Sequence, residues 1–223
     1  INEAETLGLE IVTLTGGEPL LHRDIFDILD YLDDRNLSVN IFTNGTLINE
    51  EIAKKLSKYD NLTEVEVSLD GPKEAHEKLR GVPGCFDRTI NGIKNLISYG
   101  IRPKINLVLS RYALGELRNL LKLFKQLNYE KPPELGVIFY TGVMNQKEVI
   151  VNEEEYAEAL VKYKKMANEI FNIDVYSMDK KLGKICGAGK NSLMIESNGD
   201  ILPCPLLNKR FFSLGKIYRD SIR

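Results

Sequence analysis

The sequence predicts an α/β fold, open or barrel-like, and two observations predict it. Between Glu10 and Phe171, short apolar runs of strand character alternate with longer stretches whose apolar residues recur at helical spacing. Successive strands are separated by enough chain to hold a helix, which parallel neighbours need and hairpins do not.

The first strand is EIVTLT, Glu10 to Thr15, and the helix after it is DIFDILDYLDD, where Ile25, Ile28, Leu29 and Leu32 supply the apolar face. SVNIFT, Ser38 to Thr43, is the second strand, followed by the helix NEEIAKKLSKY with Asn49 as its cap. LTEVEVSLD, Leu62 to Asp70, is the third, and the helix FDRTINGIKNLISYG ends at Gly100. RPKINLVLS, Arg102 to Ser110, precedes the helix LGELRNLLKLFKQL, and ELGVIFY, Glu134 to Tyr140, precedes the solvated amphipathic helix NEEEYAEALVKYKKMANEIF. Past Phe171 the alternation stops. SLMIE and DILPC flank Asn198-Gly199, a dipeptide suited to a type I′ turn, so a small β-hairpin is expected after the α/β body.

Composition narrows the function classes. Lys and Arg number 30 against 32 Asp and Glu, and a net charge of −2 leaves no basic footprint for nucleic acid or an anionic membrane surface. No apolar run approaches the roughly 18 residues of a membrane span, and no leader pattern opens the sequence, so a cytoplasmic protein is expected. The three cysteines, Cys85, Cys186 and Cys204, are too few and too odd in number for a secreted disulfide framework. Inert thiols, a reactive thiol or metal ligation remain.

Chemistry concentrates in VTLTGGEPLLH. Ligands of α/β sheets collect at the carboxyl ends of strands, and Gly16-Gly17-Glu18-Pro19 lies at that end of the first strand. Two glycines let a ligand approach the main chain, while Pro19 pushes Glu18 into an extended conformation that presents carbonyls and a carboxylate outward. A row of acceptors suits an ammonium. A phosphate would want N–H donors and the pattern GxxxxGK[ST], which the sequence lacks. The same four residues also read as a tight strand-to-helix turn.

LTGGEPLLH resembles the SAM-binding motif of radical SAM enzymes, and IFTNGTLI, VEVSLDGPKEAHEKLRG and FDRTINGI occur in the order and strand positions of that family. The resemblance covers nearly the whole sequence. It implies a partial (β/α)6 barrel with a parallel sheet over residues 1–172, followed at 173–223 by a small β-hairpin element that holds an auxiliary iron–sulfur cluster. The implied cofactors are S-adenosylmethionine (SAM) and [4Fe-4S] clusters. By resemblance, Gly16, Gly17, Glu18 and Pro19 hold the SAM ammonium, Ser68 bonds the sugar or the methionine part with Asp70 close by, and Arg88 pairs with the SAM carboxylate. Arg80 is the alternative to Arg88. Asn44 and Asn106 reach the ribose or a neighbouring loop, and Tyr140 lines the adenine or substrate side. The bland readings stand beside these: a turn residue for Asp70, a solvated helical Arg for Arg88, turn and strand roles for the asparagines, and helix-start or surface positions for His22 and His76.

The sequence departs from the family in one respect. A C-x3-C-x2-C loop should precede GGEP, and no cysteine occurs before Cys85. Either the first strand and cluster loop belong upstream of Ile1, which is the expectation, or the chemistry is lost; the chain alone is expected to be inactive. Near the other end, CGAG, NGDILPCP and FSLGKI resemble the opening of a SPASM domain, or its shorter twitch version, and this implies Cys186 and Cys204 as cluster ligands close together in space. Cys85 reads as structural. The reading is a radical SAM enzyme that generates a deoxyadenosyl radical to modify a peptide or protein by crosslinking, thioether formation or residue oxidation. It would take electrons from a donor such as flavodoxin or ferredoxin. The rivals are a small-molecule substrate and a non-catalytic SAM- or peptide-binding paralogue.

Overall fold

The computed structural model describes residues 1–133, 135–137, 149–174, 187–204, 207 and 209–220. The chain divides into two compact units, one spanning Thr13–Lys180 and the other combining Ile1–Val12 with Lys181–Arg223.

The larger unit carries a five-stranded parallel sheet in simple sequential order: β1 (Ile11–Leu14), β2 (Ser38–Thr43), β3 (Leu62–Ser68), β4 (Lys104–Leu109) and β5 (Leu135–Val137). Sequential order follows from crossovers that each return the chain one strand further along. The short α1 (Asn2–Glu5) belongs to the smaller unit; the crossover helices are α2 (Ile25–Asp33), α3 (Glu50–Leu56), α4 (Lys73–Arg80), α5 (Cys85–Ser98) and α6 (Leu117–Gln126), and α7 (Glu153–Phe171) follows β5. β2, β3 and β4 are in register with Phe42 opposite Glu66, Glu66 opposite Lys104, and Ser68 opposite Asn106.

Strand alternation sets the core. Val39, Ile41, Val65, Val67, Ile105, Leu107 and Leu109 are buried, together with Leu29 and Leu32 of α2, Ile93 and Leu96 of α5, and Leu120, Leu121 and Phe124 of α6. α7 buries Ala159, Tyr163, Ala167 and Phe171, a stripe at four-residue spacing. Asn152 and Glu155 form a reciprocal capping box at its start. The hydroxyls of Tyr156 and Tyr163 donate to the carbonyls of Leu135 and Pro133 at 2.7 Å each, tying α7 to the β5 region.

Two expectations need correction. The segment between Leu69 and Gly84 holds α4, a helix absent from the sequence reading; its residues KEAHEKLR contain only two aliphatic side chains and give little periodic signal, although Pro72 at its start and Gly81 in a left-handed conformation (φ 68°) at its end are boundary marks. In the smaller unit, β6 (Met194–Ile195), β7 (Asp200–Leu202) and β8 (Gly215–Lys216) form an antiparallel sheet in that order, with α8 (Lys209–Phe212) before β8. The expected hairpin is present as β6–β7, but its turn is not type I′. The Gly199 N–H donates to the Glu196 carbonyl at 2.8 Å, so Ser197 and Asn198 are the central residues, and Gly199 alone has positive φ, at 84°. This is the longer type I turn with a left-handed glycine, and Asn198 supports it by accepting from the Asp200 N–H at 3.0 Å. Among the described residues, no helix is long and apolar enough to cross a membrane.

The closest approach in the larger unit is between α5 and the loop after β2. A Cβ on Gly92 would collide with the Gly45 carbonyl oxygen, a backbone atom that cannot swing away. Alanine in a helix interior gains at most ~1 kcal/mol over glycine, whereas overpacking costs about 1–3 kcal/mol. Gly92→Ala is therefore expected to destabilise the protein by about 1–2 kcal/mol in urea unfolding, and a neutral or stabilised variant would show that α5 does not seat on this loop.

Candidate functional site

The carboxyl ends of β1 to β4 carry GGEP, TNGT, SLDG and SRYA, and short polar contacts connect the first two. Glu18 is extended (φ −148°, ψ 110°), as the following proline requires, and it caps a single 3-10 turn at Pro19–Leu21 by accepting from the Leu20 N–H at 3.2 Å. Its carboxylate, half-buried, is largely taken up by internal donors. Oε1 also accepts from the Thr43 hydroxyl at 2.7 Å, and Oε2 accepts from the Asn44 N–H at 2.8 Å. A carboxylate offers about four acceptor positions, so three protein donors leave one for a ligand. Gly16 and Gly17 are exposed, and a Cβ built on either would meet nothing within 4 Å; Gly16 has φ 127°.

The loop after β2 is fixed by its own side chains. Thr43 Oγ1 accepts from the Gly45 N–H at 3.0 Å while donating to Glu18. The Asn44 side chain is committed locally, since its Oδ1 accepts from the Thr46 N–H at 2.8 Å and the Thr46 hydroxyl at 2.6 Å. The buried Thr89 hydroxyl on α5 donates to the Asn44 carbonyl at 2.8 Å. Thr43 and Thr89 are contributors that the sequence reading missed. The dipeptide Asn44-Gly45 signalled the turn, but nothing in the sequence pointed to Thr89, 45 residues further on.

Ser68 ends β3, half-buried, with the exposed Asn106 opposite it in register on β4. The Leu69 N–H donates to the Asn106 carbonyl at 3.0 Å and holds the two strand ends together. Asp70 is 1 % exposed. Its Oδ2 accepts from Arg80 Nε at 2.7 Å and lies 3.4 Å from His76 Nδ1, which is itself 3.2 Å from the Asp70 N–H. Nδ1 accepts from that N–H when unprotonated and donates to the carboxylate when protonated. Burial favours the neutral acid, but the His76 hydrogen bond and the Arg80 charge outweigh it and hold the Asp70 carboxyl below its usual range.

His76 lies in the first turn of α4 but departs from the surface position expected of it: it is 2 % exposed, beside a carboxylate. His22 is at a helix start, its Nδ1 accepting from the Asp24 N–H at 3.2 Å. Arg88 is exposed in the first turn of α5 and forms no ion pair among the described residues. Its Nη1 would lie 3.3 Å from a Cβ on Gly84, whose φ is 72°. Cys85 begins α5, buried; burial first, then the Glu77 carboxylate, pushes its thiol up and away from ligand chemistry. Tyr140 and Cys186 lie outside the described residues, and so does the distance between the sulfurs of Cys186 and Cys204. Cys204 is half-buried and in no disulfide.

The donor set fits a zwitterionic methionyl group: carbonyls on an open glycine lip with one free carboxylate position for an ammonium, and an unpaired guanidinium for a carboxylate. It does not fit the catalytic cluster. No cysteine precedes Cys85, and the described residues contain no group of three or more His, Cys, Asp or Glu able to hold a metal ion.

The lowered pKa of Asp70 makes part of the stability depend on pH. A carboxyl whose folded value lies below its unfolded value contributes stability above the ordinary aspartate range, near 4, and loses it as the pH falls through the folded value. Asp70→Asn is expected to be less stable than the parent at pH 7, with the gap closing below about pH 4 in parallel denaturant titrations. A gap independent of pH would show that the ionised form is not what the fold uses.

Comparison with known proteins agrees with this layout. Residues 1–124 match the family model of the radical SAM superfamily, and residues 186–223 match the SPASM iron-sulfur cluster-binding domain. The AdoMet-dependent heme synthase of Methanosarcina barkeri is 39% identical over 128 residues, which is 57% of this chain and 36% of that protein. The antilisterial bacteriocin subtilosin biosynthesis protein AlbA of Bacillus subtilis is 29% identical over 222 residues, 96% of this chain and 48% of AlbA. The chain thus spans half or less of the length of these relatives. Among solved structures, anSMEcpe with bound AdoMet and Kp18Cys peptide superposes with a TM-score of 0.74 at 23% identity, over 95% of this chain and 65% of that one. GGEP, TNGT and SLDG fall within the first matched range and Cys204 within the second: the chain belongs to the radical SAM superfamily, whose cofactors are SAM and [4Fe-4S] clusters, and carries a SPASM segment.

Proposed function

We propose that the protein is a radical SAM enzyme acting on a peptide or protein substrate, by crosslinking, thioether formation or residue oxidation. The observation that carries this reading is the SPASM segment joined to the SAM-type sheet, a combination matched along 96% of the chain by AlbA, a bacteriocin biosynthesis protein. The heme synthase likeness supports a small-molecule substrate instead, but it covers 57% of the chain. A likeness of that extent speaks to the handling of the cofactor more than to the choice of substrate.

In this reading residues 1–172 form the SAM-binding part and 173–223 the auxiliary part. The carbonyls of Gly16 and Gly17 and the remaining acceptor position of Glu18 hold the methionyl ammonium, with Pro19 fixing the turn. Arg88 holds the carboxylate bidentately, Ser68 bonds the methionine or sugar, and Asn106 faces the ribose. Asn44, its side-chain oxygen occupied by Thr46, contributes through the loop it shapes. Asp70 supports Ser68 from behind, and Tyr140 lines the adenine or substrate side. When bound and reduced by one electron from a [4Fe-4S] cluster, SAM would supply the radical chemistry that removes hydrogen from the substrate; the protein's part is to orient SAM and exclude water. Cys186 and Cys204 ligate the auxiliary cluster. Electrons come from a carrier of the flavodoxin or ferredoxin kind.

Two measurements test the reading. Arg88→Ala touches no other described ion pair and should weaken SAM binding about 10- to 100-fold, the worth of a charge-assisted hydrogen bond of roughly 1.5–3 kcal/mol. Glu18→Gln should weaken it at least as much, because an NH2 in place of Oε2 accepts neither from the ammonium nor from the Asn44 N–H. Calorimetric affinities unchanged in both would remove the site. The chain as it stands, reconstituted with iron and sulfide, is expected to bind iron through Cys186 and Cys204 but to release no deoxyadenosine from SAM, having no thiolates for the catalytic cluster. Deoxyadenosine formation by the chain, or iron content unaffected by Cys186→Ala and Cys204→Ala, would contradict it.

A further inference from the structure

We propose that Asp70, held by His76 and Arg80, is a positioning residue that sets the spacing between Ser68 and Arg88. The inference rests on the reading of Ser68 and Arg88 as contacts to SAM.

Asp70 is only 1 % exposed, so its carboxylate is withdrawn from anything that binds at the strand ends. It nevertheless follows Ser68 by two residues, and every group around it is tied down. On one side, the Leu69 N–H is bonded to the Asn106 carbonyl, and Leu69 itself is fully buried. On the other, a Cβ on Gly71 would lie 3.0 Å from Ala75 Cβ and 3.2 Å from Ala113 Cβ, so the chain after Asp70 is wedged between α4 and the turn that follows β4. The two partners of the carboxylate, His76 and Arg80, are four residues apart on α4 and therefore on one face of it.

α4 grips the beginning of α5 as well. The His76 ring meets the Phe86 ring edge-on, with centroids 6.1 Å apart and planes at 66°. Lys73 Nζ lies 2.6 Å from Asp87 Oδ2. Phe86 and Asp87 immediately precede Arg88. A continuous path of short contacts therefore leads from Ser68 through Asp70 and α4 to Arg88, and His76 belongs to both halves of it. Ionised Asp70 orients the face of α4 whose residues orient the first turn of α5. Ordering two ligand contacts before the ligand arrives is how a second layer of hydrogen bonds serves a site.

A residue that merely stabilised the fold would lower the melting temperature and leave the affinity of the folded fraction unchanged. A positioning residue changes that affinity, and changes it through the residues it places. The test is SAM binding by calorimetry, at a temperature where circular dichroism shows each variant folded, for the parent, Ser68→Ala, Arg88→Ala, Asp70→Asn and the two double variants. Asp70→Asn is expected to weaken SAM binding about tenfold or more. In combination with Ser68→Ala or Arg88→Ala the loss should fall short of the product of the single losses by threefold or more, the sign that the sites are coupled. If Asp70→Asn does not fold, Arg80→Met enters the same cycles, and Arg80→Lys, which keeps the charge, should recover part of the affinity. Parent-like affinity for Asp70→Asn or Arg80→Met, or losses that multiply in full, would overturn the inference while leaving the SAM site standing. Failure of the parent itself to bind SAM would instead overturn the reading of the site and the inference with it.

Discussion

The Glu18 carboxylate bridges two strand ends, and the geometry of the candidate site follows from that bridge. Without it, Gly16 and Gly17 would be a bare lip whose ordering costs about 1–2 kcal/mol per residue. Half-buried charge-assisted hydrogen bonds, worth roughly 1.5–3 kcal/mol each, offset that cost. Thr43 relays the constraint, since the hydroxyl that donates to Glu18 accepts from Gly45. Gly45 in turn is the backbone against which Gly92 packs, and Thr89 donates to the carbonyl of Asn44. α5, and with it Arg88, is thus seated on the same loop that Glu18 holds.

The smaller unit is organised differently. Ile201 and Leu202 are the buried apolar side chains among its described residues, while Ile195, Phe211 and Tyr218 are exposed. So little apolar burial does not hold a sheet of two- and three-residue strands by packing alone, and domains of this size commonly rely on a metal as a cross-link. Cluster ligation by the SPASM family is a cross-link of that kind. Among the described residues, Lys216 Nζ lies 3.2 Å from Asp200 Oδ1 across the β7–β8 pair, and the Lys216 N–H donates to Asp220 Oδ2 at 2.9 Å in the turn after β8.

How much could be read beforehand depended on how local each cause was. The strands were legible because one face of the sheet is apolar, and the helices because their apolar residues recur at helical spacing. Glu18 stood out as a candidate, but the internal partners of its carboxylate did not, because Thr43 lies 25 residues away and approaches only once β1 and β2 are neighbours. α4 escaped because the residue it buries most deeply besides Ala75 is a histidine, which a hydrophobic pattern counts as polar. Burial of His76 makes sense only with Asp70 beside it, and that pairing depends on the chain reversing at Gly71-Pro72. The turn at Asn198-Gly199 failed for a related reason: the dipeptide marks a turn, but which residue takes positive φ is decided by the register of Ile195 opposite Ile201.

The same alternation that made the strands legible identifies the face of the sheet that is not core. A parallel sheet covered by packed helices on both sides reads as continuous apolar runs. In β3 and β4 the apolar residues instead alternate with Glu64, Glu66, Ser68, Lys104 and Asn106. Glu66 is 8 % exposed, with its Oε2 3.1 Å from Lys104 Nζ, an arrangement that gains little stability over a well-packed apolar pair. Such a row is what a surface meeting water or a polar ligand uses. It rises strand-wise to Ser68 at the carboxyl end of β3, opposite Asn106, which is the third residue of β4 rather than at its carboxyl end. The polar face and the anchored loops therefore converge on one place. The fold spends its apolar residues on the helix side and leaves the opposite side free for chemistry.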